Sequence, residues 1–212
     1  MRGKSDHLKG CSQLHSDTAQ VAAHMRDFGL HALGRAVYDA TFSEFLRPFA
    51  HAISVTLAAL AGEILIKARI AEEHPLLIFQ SLPRSTNSAD LLDIQQLLEQ
   101  GKTVGYADLP ELLWATTGYQ MAEATRFLEF GKLRNAIAHF AVPDSRVEDE
   151  TIKYAFEVLD PILGDLWNET LIPYAVVWDE EIVAGLYLNE CLEELSIRPS
   201  NPLSLAALAK SQ

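Results

Sequence analysis

The chain reads as all-α, one helical bundle around a single hydrophobic core, and three observations predict this. Apolar residues recur at helical spacing in several separate runs. Proline and glycine fall where those runs start and stop. The 212 residues are 49% hydrophobic and 22% charged, an ordinary globular balance, with no internal repeat or low-complexity segment.

Taken in order, residues 1–16, "MRGKSDHLKGCSQLHS", are polar and aperiodic and predict a flexible arm. They hold no apolar segment of the kind a secretory signal needs. One helical domain then spans 17–200, followed by a frayed tail over 201–212. Ser16 or Asp17 suits a helix cap, and Val21, Met25, Phe28, Leu33 and Val37 follow at helical spacing. Gly29 and Gly34 weaken this helix and predict a break in it.

Pro48 fits the first turn of a long helix reaching about Glu73, which His74-Pro75 ends because the residue before proline is pushed out of the helical region. "LPRSTNS" is loop chemistry, with a short helix over about Ala89 to Glu99 closed by Gly101 and Gly105. Asp108-Leu109-Pro110 opens "ELLWATTG", which stops at Gly118. A further helix runs from about Gln120 to before Pro143. Ile152, Phe156, Leu159 and Leu163 form another apolar stripe, in a helix that Pro161 is expected to kink. "YAVVW" fits either strand or helix, and the apolar spacing after it favours helix.

The chain carries a net charge of −12, so its summed field repels polyanions and disfavours diffuse binding to nucleic acid or anionic membrane. Any handling of RNA has to occur at a local patch. The most lipid-like run, Ala50 to Ala71, contains Glu63, Lys67 and Arg69, whose burial in lipid would cost several kcal/mol. It reads as a bundle helix, with no membrane partner. Cys11 and Cys191 make no disulfide framework and lack metal-type spacing, which suits a reducing, cytoplasmic setting. The seven histidines are scattered and no acidic cluster has ligand spacing, so no metal and no cofactor is expected.

One stretch concentrates chemistry. "KLRNAIAHF", Lys132 to Phe140, places Arg134, Asn135 and His139 in an otherwise apolar helical run. At about 100° per residue, Phe130, Leu133, Ile137 and Phe140 fall within roughly 80° of one another and define the core stripe. Asn135 lies almost opposite, with His139 one turn further on, while Arg134 sits on the flank. The polar trio either decorates a solvated face or handles an anion. The second reading offers a permanent cation and a group that titrates near neutral pH. Cutting an RNA phosphodiester through its own 2′-hydroxyl needs both. A proton must move, which histidine can do, and charge grows on the phosphoryl oxygens, which a forked guanidinium can meet.

"RNAIAH" matches the R-N-x-x-x-H pattern of the HEPN family (higher eukaryotes and prokaryotes nucleotide-binding domains). The upstream "LAALAGEILIKARIAEEHPLLIF" resembles the long helix preceding that motif, including its E-x-x-x-K element at Glu63 and Lys67. The resemblance spans roughly Phe42 to Trp167. It implies an up-and-down helical bundle of HEPN type, with extra N- and C-terminal helices. It also implies a homodimer with a composite site at its two-fold interface, and a metal-independent endoribonuclease of toxin–antitoxin or antiphage systems, with RNA as substrate and a protein antitoxin as partner. Carried over, Arg134 and His139 are the catalytic pair and Asn135, Glu63 and Lys67 the supporting polar residues. Some family toxins carry a modified tyrosine two places after the histidine. Here that place is Ala141, so this regulation is not expected. Two alternatives stay open: a catalytically silent nucleotide- or protein-binding module, and a plain helical interaction protein.

Among the remaining residues, Trp114, Trp167 and Trp178 read as core or interface anchors rather than base-stacking platforms. His15, His24, His31 and His51 show no partner pattern. Cys191, in "NECLEELS", lacks the basic neighbour that would make its thiol reactive.

Overall fold

A computed structural model describes residues 5–42, 49–82, 97, 99–140, 147–176 and 183–200. The chain is mostly helical, with little strand, as the sequence predicts. In order it forms α1 (Ser5–Thr41), α2 (Ala50–Glu73), β1 (Phe79–Ser81), β2 (Lys102–Thr103), α3 (Leu109–Thr117) and α4 (Ala124–Phe140). These are followed by α5 (Val147–Lys153), α6 (Asp160–Trp167), α7 (Ile172–Val176) and α8 (Val183–Glu194). None of the helices among the described residues is long and apolar enough to cross a membrane.

The chain divides into two compact units. One comprises Met1–Asp27 and Leu65–Gln120, the other Phe28–Ile64 and Met121–Gln212. In the first unit α2 ends at Glu73, and the His74 imidazole accepts the Leu76 amide at 3.2 Å to open a 3-10 turn over Pro75–Ile78. That turn leads into β1, which pairs antiparallel with β2 through Phe79 and Thr103. Gly101 lies against the Phe79 ring, where any Cβ would collide with it. Gly118, at φ 77°, caps α3 in the left-handed region that glycine tolerates, and its amide donates to Trp114 O at 2.8 Å.

The second unit packs its apolar faces around Leu33 and Val37 of α1, Val55 and Ala58 of α2, and Phe127 of α4, all essentially without exposure. The stripe Ile152, Phe156, Leu159 and Leu163 is buried as its spacing predicts. Between α5 and α6 the helix widens into a π-turn over Tyr154–Leu159, with the Asp160 amide donating to Ala155 O, five residues back. Pro161 has no N–H to offer Glu157 O, and the local answer is a wider turn followed by α6, with Pro161 in its first turn. Tyr154, within that turn, is fully buried and stacks flat on Phe130 of α4, centroids 3.9 Å apart and planes 5° from parallel. Buried Asp160 accepts from the Leu171 amide at 2.8 Å, the Ser200 amide at 2.7 Å and the Thr170 hydroxyl at 3.2 Å.

Several expectations give way. α1 is helical from Ser5, inside the stretch read as a loose arm, and it runs unbroken through Gly29 and Gly34. Gly34 is explained by packing: a Cβ there would run into the backbone carbonyl of Tyr174. Phe28, assigned to the α1 stripe, is 48% exposed, and its neighbour Leu30 is buried instead. The "YAVVW" segment is helical over the part described, in α7. Pro48, Trp178, most of the helix expected over Ala89 to Glu99, and the tail 201–212 lie outside the described residues.

Candidate functional site

α4 carries the motif, and its underside is fixed by aromatic packing. Phe127 and Phe130 are buried against Tyr154, and Gly62 of α2 lies so close to the Tyr154 hydroxyl that a Cβ would strike it. At the N-terminal end of the helix Arg126 pairs with Glu157 of the π-turn. Ile137 is buried, so the wheel's inner face holds as far as that residue. Phe140 departs from it. Predicted to close the core stripe, it is 78% exposed, because it stands on the last turn, beyond the packing against Tyr154.

Arg134 is half-buried on the flank of α4, and its Nη2 lies 3.9 Å from Oε2 of Glu63 on α2. The two residues read from separate stretches of sequence are thus brought together. Asn135 and His139, one turn apart, are both exposed. Among the described residues neither has a hydrogen-bond partner, and the His139 ring meets only the edge of Phe140, centroids 6.4 Å apart. Lys67 is buried and belongs to the first unit, where its Nζ donates to Thr103 Oγ1 of β2 at 3.1 Å.

This arrangement leaves an imidazole and a carboxamide presented to solvent on the C-terminal half of α4. A guanidinium sits one residue before the carboxamide, and Glu63 partly offsets its charge. From Lys132 to Phe140 the helix contains no acidic residue, a local exception in a chain of net charge −12. Such a surface can take an anionic group and exchange a proton with it.

Two features escaped the sequence reading. His51 of α2, read as partnerless, places Nδ1 3.2 Å from Glu148 Oε2 of α5, and beside it buried Ser54 and Thr151 share a hydroxyl–hydroxyl hydrogen bond at 3.2 Å. His31 meets the edge of the Tyr174 ring at 5.4 Å. No local signal could reveal pairs so far apart in sequence. Trp114, read as an anchor, is 52% exposed on α3. The Cys191 thiol is pushed up from its ordinary value, mainly by burial and then by Glu194, Asp149 and Glu190, which accords with an unreactive cysteine. Among the described residues no three His, Cys, Asp or Glu side chains gather where they could hold a metal ion.

No protein-family model, curated protein or solved structure matches the chain.

Proposed function

We propose that this chain is a metal-independent endoribonuclease of HEPN type, acting in the cytoplasm as a homodimer in a toxin–antitoxin or antiphage setting. The observation that carries the reading is the display on one helix end of exposed His139 and Asn135, with Arg134 held on the flank beside Glu63. His139 accepts the 2′-hydroxyl proton as the 2′-oxygen forms its bond to phosphorus. The phosphorus–5′-oxygen bond breaks, and the departing oxygen takes a proton from an imidazolium, leaving a 2′,3′-cyclic phosphate. Arg134 meets the charge that grows on the non-bridging oxygens, and Asn135 orients phosphate or imidazole. Arg134 and His139 diverge by about 140° on an ideal helix, so a two-fold assembly of the up-and-down bundle completes the site by recruiting them from different copies.

The test is cleavage of a mixed single-stranded RNA pool in EDTA. Wild type gives cyclic-phosphate ends, and Arg134→Ala and His139→Ala each lower the rate by about 100-fold or more. Absence of cleavage, or cleavage indifferent to both changes, refutes the assignment. The contact between Glu63 and Arg134 favours one second reading, a silent binding module, since a carboxylate beside the guanidinium weakens its hold on phosphate. In that case Glu63→Gln tightens RNA or nucleotide binding while no product forms.

A further inference from the structure

The exposed face of α4 carries more than the polar residues of the motif. Lys132, Asn135 and His139 are all exposed and fall within about 60° of one another around the helix. In the same unit Arg35, Arg126, Arg134 and Lys153 stand against Asp39, Glu157, Glu63 and Glu150 respectively. Lys132 forms no ion pair among the described residues. Exposed Glu129, nearly one turn earlier, marks where the strip without acidic residues begins. At the other end Phe140 is 78% exposed, more than any other large apolar side chain among the described residues. Its ring stands edge-on to the His139 imidazole, centroids 6.4 Å apart. Ammonium, carboxamide, imidazole and aromatic ring thus follow one another along roughly 12 Å of helix axis.

A cation and an exposed ring are the two contacts that hold a single strand of nucleic acid without regard to its sequence. The ammonium takes a phosphate, and the ring takes the face of a base. In a duplex those faces are already stacked on one another, so the ring has nothing to receive. The net charge of −12 makes the unpaired lysine count, because no diffuse positive field can do its work. We propose that the exposed face of α4 is the track of a single RNA strand, with one base stacked on Phe140, one phosphate at His139 and the neighbouring phosphate on Lys132. The inference rests on the nuclease reading for the phosphate at His139. It adds the substrate class: unpaired strands of more than one nucleotide, rather than duplexes or free nucleotides. Lys132 and Phe140 are positioning residues, one reading charge and the other the open face of a base.

Fluorescence anisotropy decides it, using the full chain and a labelled single-stranded RNA oligonucleotide, 2′-O-methylated so that it cannot be cut. Wild type binds the strand, and the same sequence as a duplex binds about 10-fold more weakly or worse. Lys132→Gln weakens binding at low salt and flattens the slope of log affinity against log salt by about 0.7, the share of one single-strand phosphate contact. Phe140→Ala weakens binding by about 10-fold with that slope unchanged, and Phe140→Trp recovers it. Lys102→Gln, at an exposed cation of β2, changes neither reading. Helical circular dichroism stays constant, because every substituted side chain is exposed. A wild type that does not bind the strand overturns the proposal. So does a duplex bound equally well, or an affinity indifferent to both Lys132→Gln and Phe140→Ala. Cleavage of unmodified RNA by the same proteins separates the two readings. A strand held through both residues but never cut refutes only the nuclease, and RNA cut with a KM that neither substitution moves refutes only the track.

Discussion

Asp160 offers the sharpest test of how the second unit is held. Its carboxylate is fully buried, and both oxygens accept: Oδ1 from the Leu171 amide and the Thr170 hydroxyl, Oδ2 from the Ser200 amide. It therefore ties the start of α6 to the turn before α7 and to the segment after α8. Asp160→Ala strips three donors of one charged acceptor. Each such bond contributes about 1.5–3 kcal/mol, offset by the cost of keeping a carboxylate dry, so the net loss is about 3–5 kcal/mol. Asp160→Asn is the more searching variant. One amide oxygen survives, but the new NH2 faces the N–H that Oδ1 or Oδ2 used to accept, setting donor against donor. It is expected to cost about 2–3 kcal/mol, well over half the alanine penalty. Urea unfolding followed by circular dichroism measures both, with a fluorescence probe to check that the transition is two-state. An Asp160→Asn protein within about 0.5 kcal/mol of wild type would show that the amide donors do not depend on a carboxylate, and the reasoning fails.

Two further predictions follow from packing and titration. Gly34→Ala drives a Cβ into the Tyr174 carbonyl, and its cost of about 1–3 kcal/mol exceeds the helix-propensity gain of about 1 kcal/mol; Gly164→Ala, with 3.9 Å of clearance, shows that gain as a rise in melting temperature, and equal effects at the two sites would contradict the packing argument. Native Cys191, assayed by iodoacetamide in a Cys11→Ser chain, reacts more slowly than the urea-unfolded chain near pH 8–9, since burial holds its thiol protonated. Because that value is raised in the folded state, the associated stability is present below the unfolded thiol's titration and is lost as pH rises through the folded one. Equal alkylation rates would refute it.

Much of the fold was legible because its signals are local. The His74-Pro75 stop, the Gly118 cap and the buried Ile152–Leu163 stripe each depend on neighbours within a few positions. The misreadings share the opposite cause. β1 and β2 are three and two residues long, too short for any alternation to register. Phe28 and Phe140 obey helical spacing, but spacing cannot say where along a helix its packing partner ends. Gly34 was read for propensity when its role is to let Tyr174 approach. At the candidate site, the sequence itself groups Arg134, Asn135 and His139 as one motif, and the resemblance adds Glu63, which α2 places 3.9 Å from Arg134. Lys67, four residues on, points its ammonium to Thr103, a partner in the first unit that no helical spacing could suggest.

The π-turn at Tyr154–Leu159 has a consequence for how this chain tolerates change in length. A π-turn is an α-helix that has absorbed one surplus residue, so everything after Leu159 is rotated by about 100° from where an uninterrupted helix would carry it. That phase offset lets one continuous rod present Tyr154 to Phe130 and Gly62 and, six residues later, Asp160 to Leu171 and Ser200. Deleting one residue between Tyr154 and Asp160 would close the turn into ideal helical geometry and leave those two faces in phase, whereas inserting a further residue there would swing one of them away by about 100°. The segment that looks least regular is the one that can give up a residue.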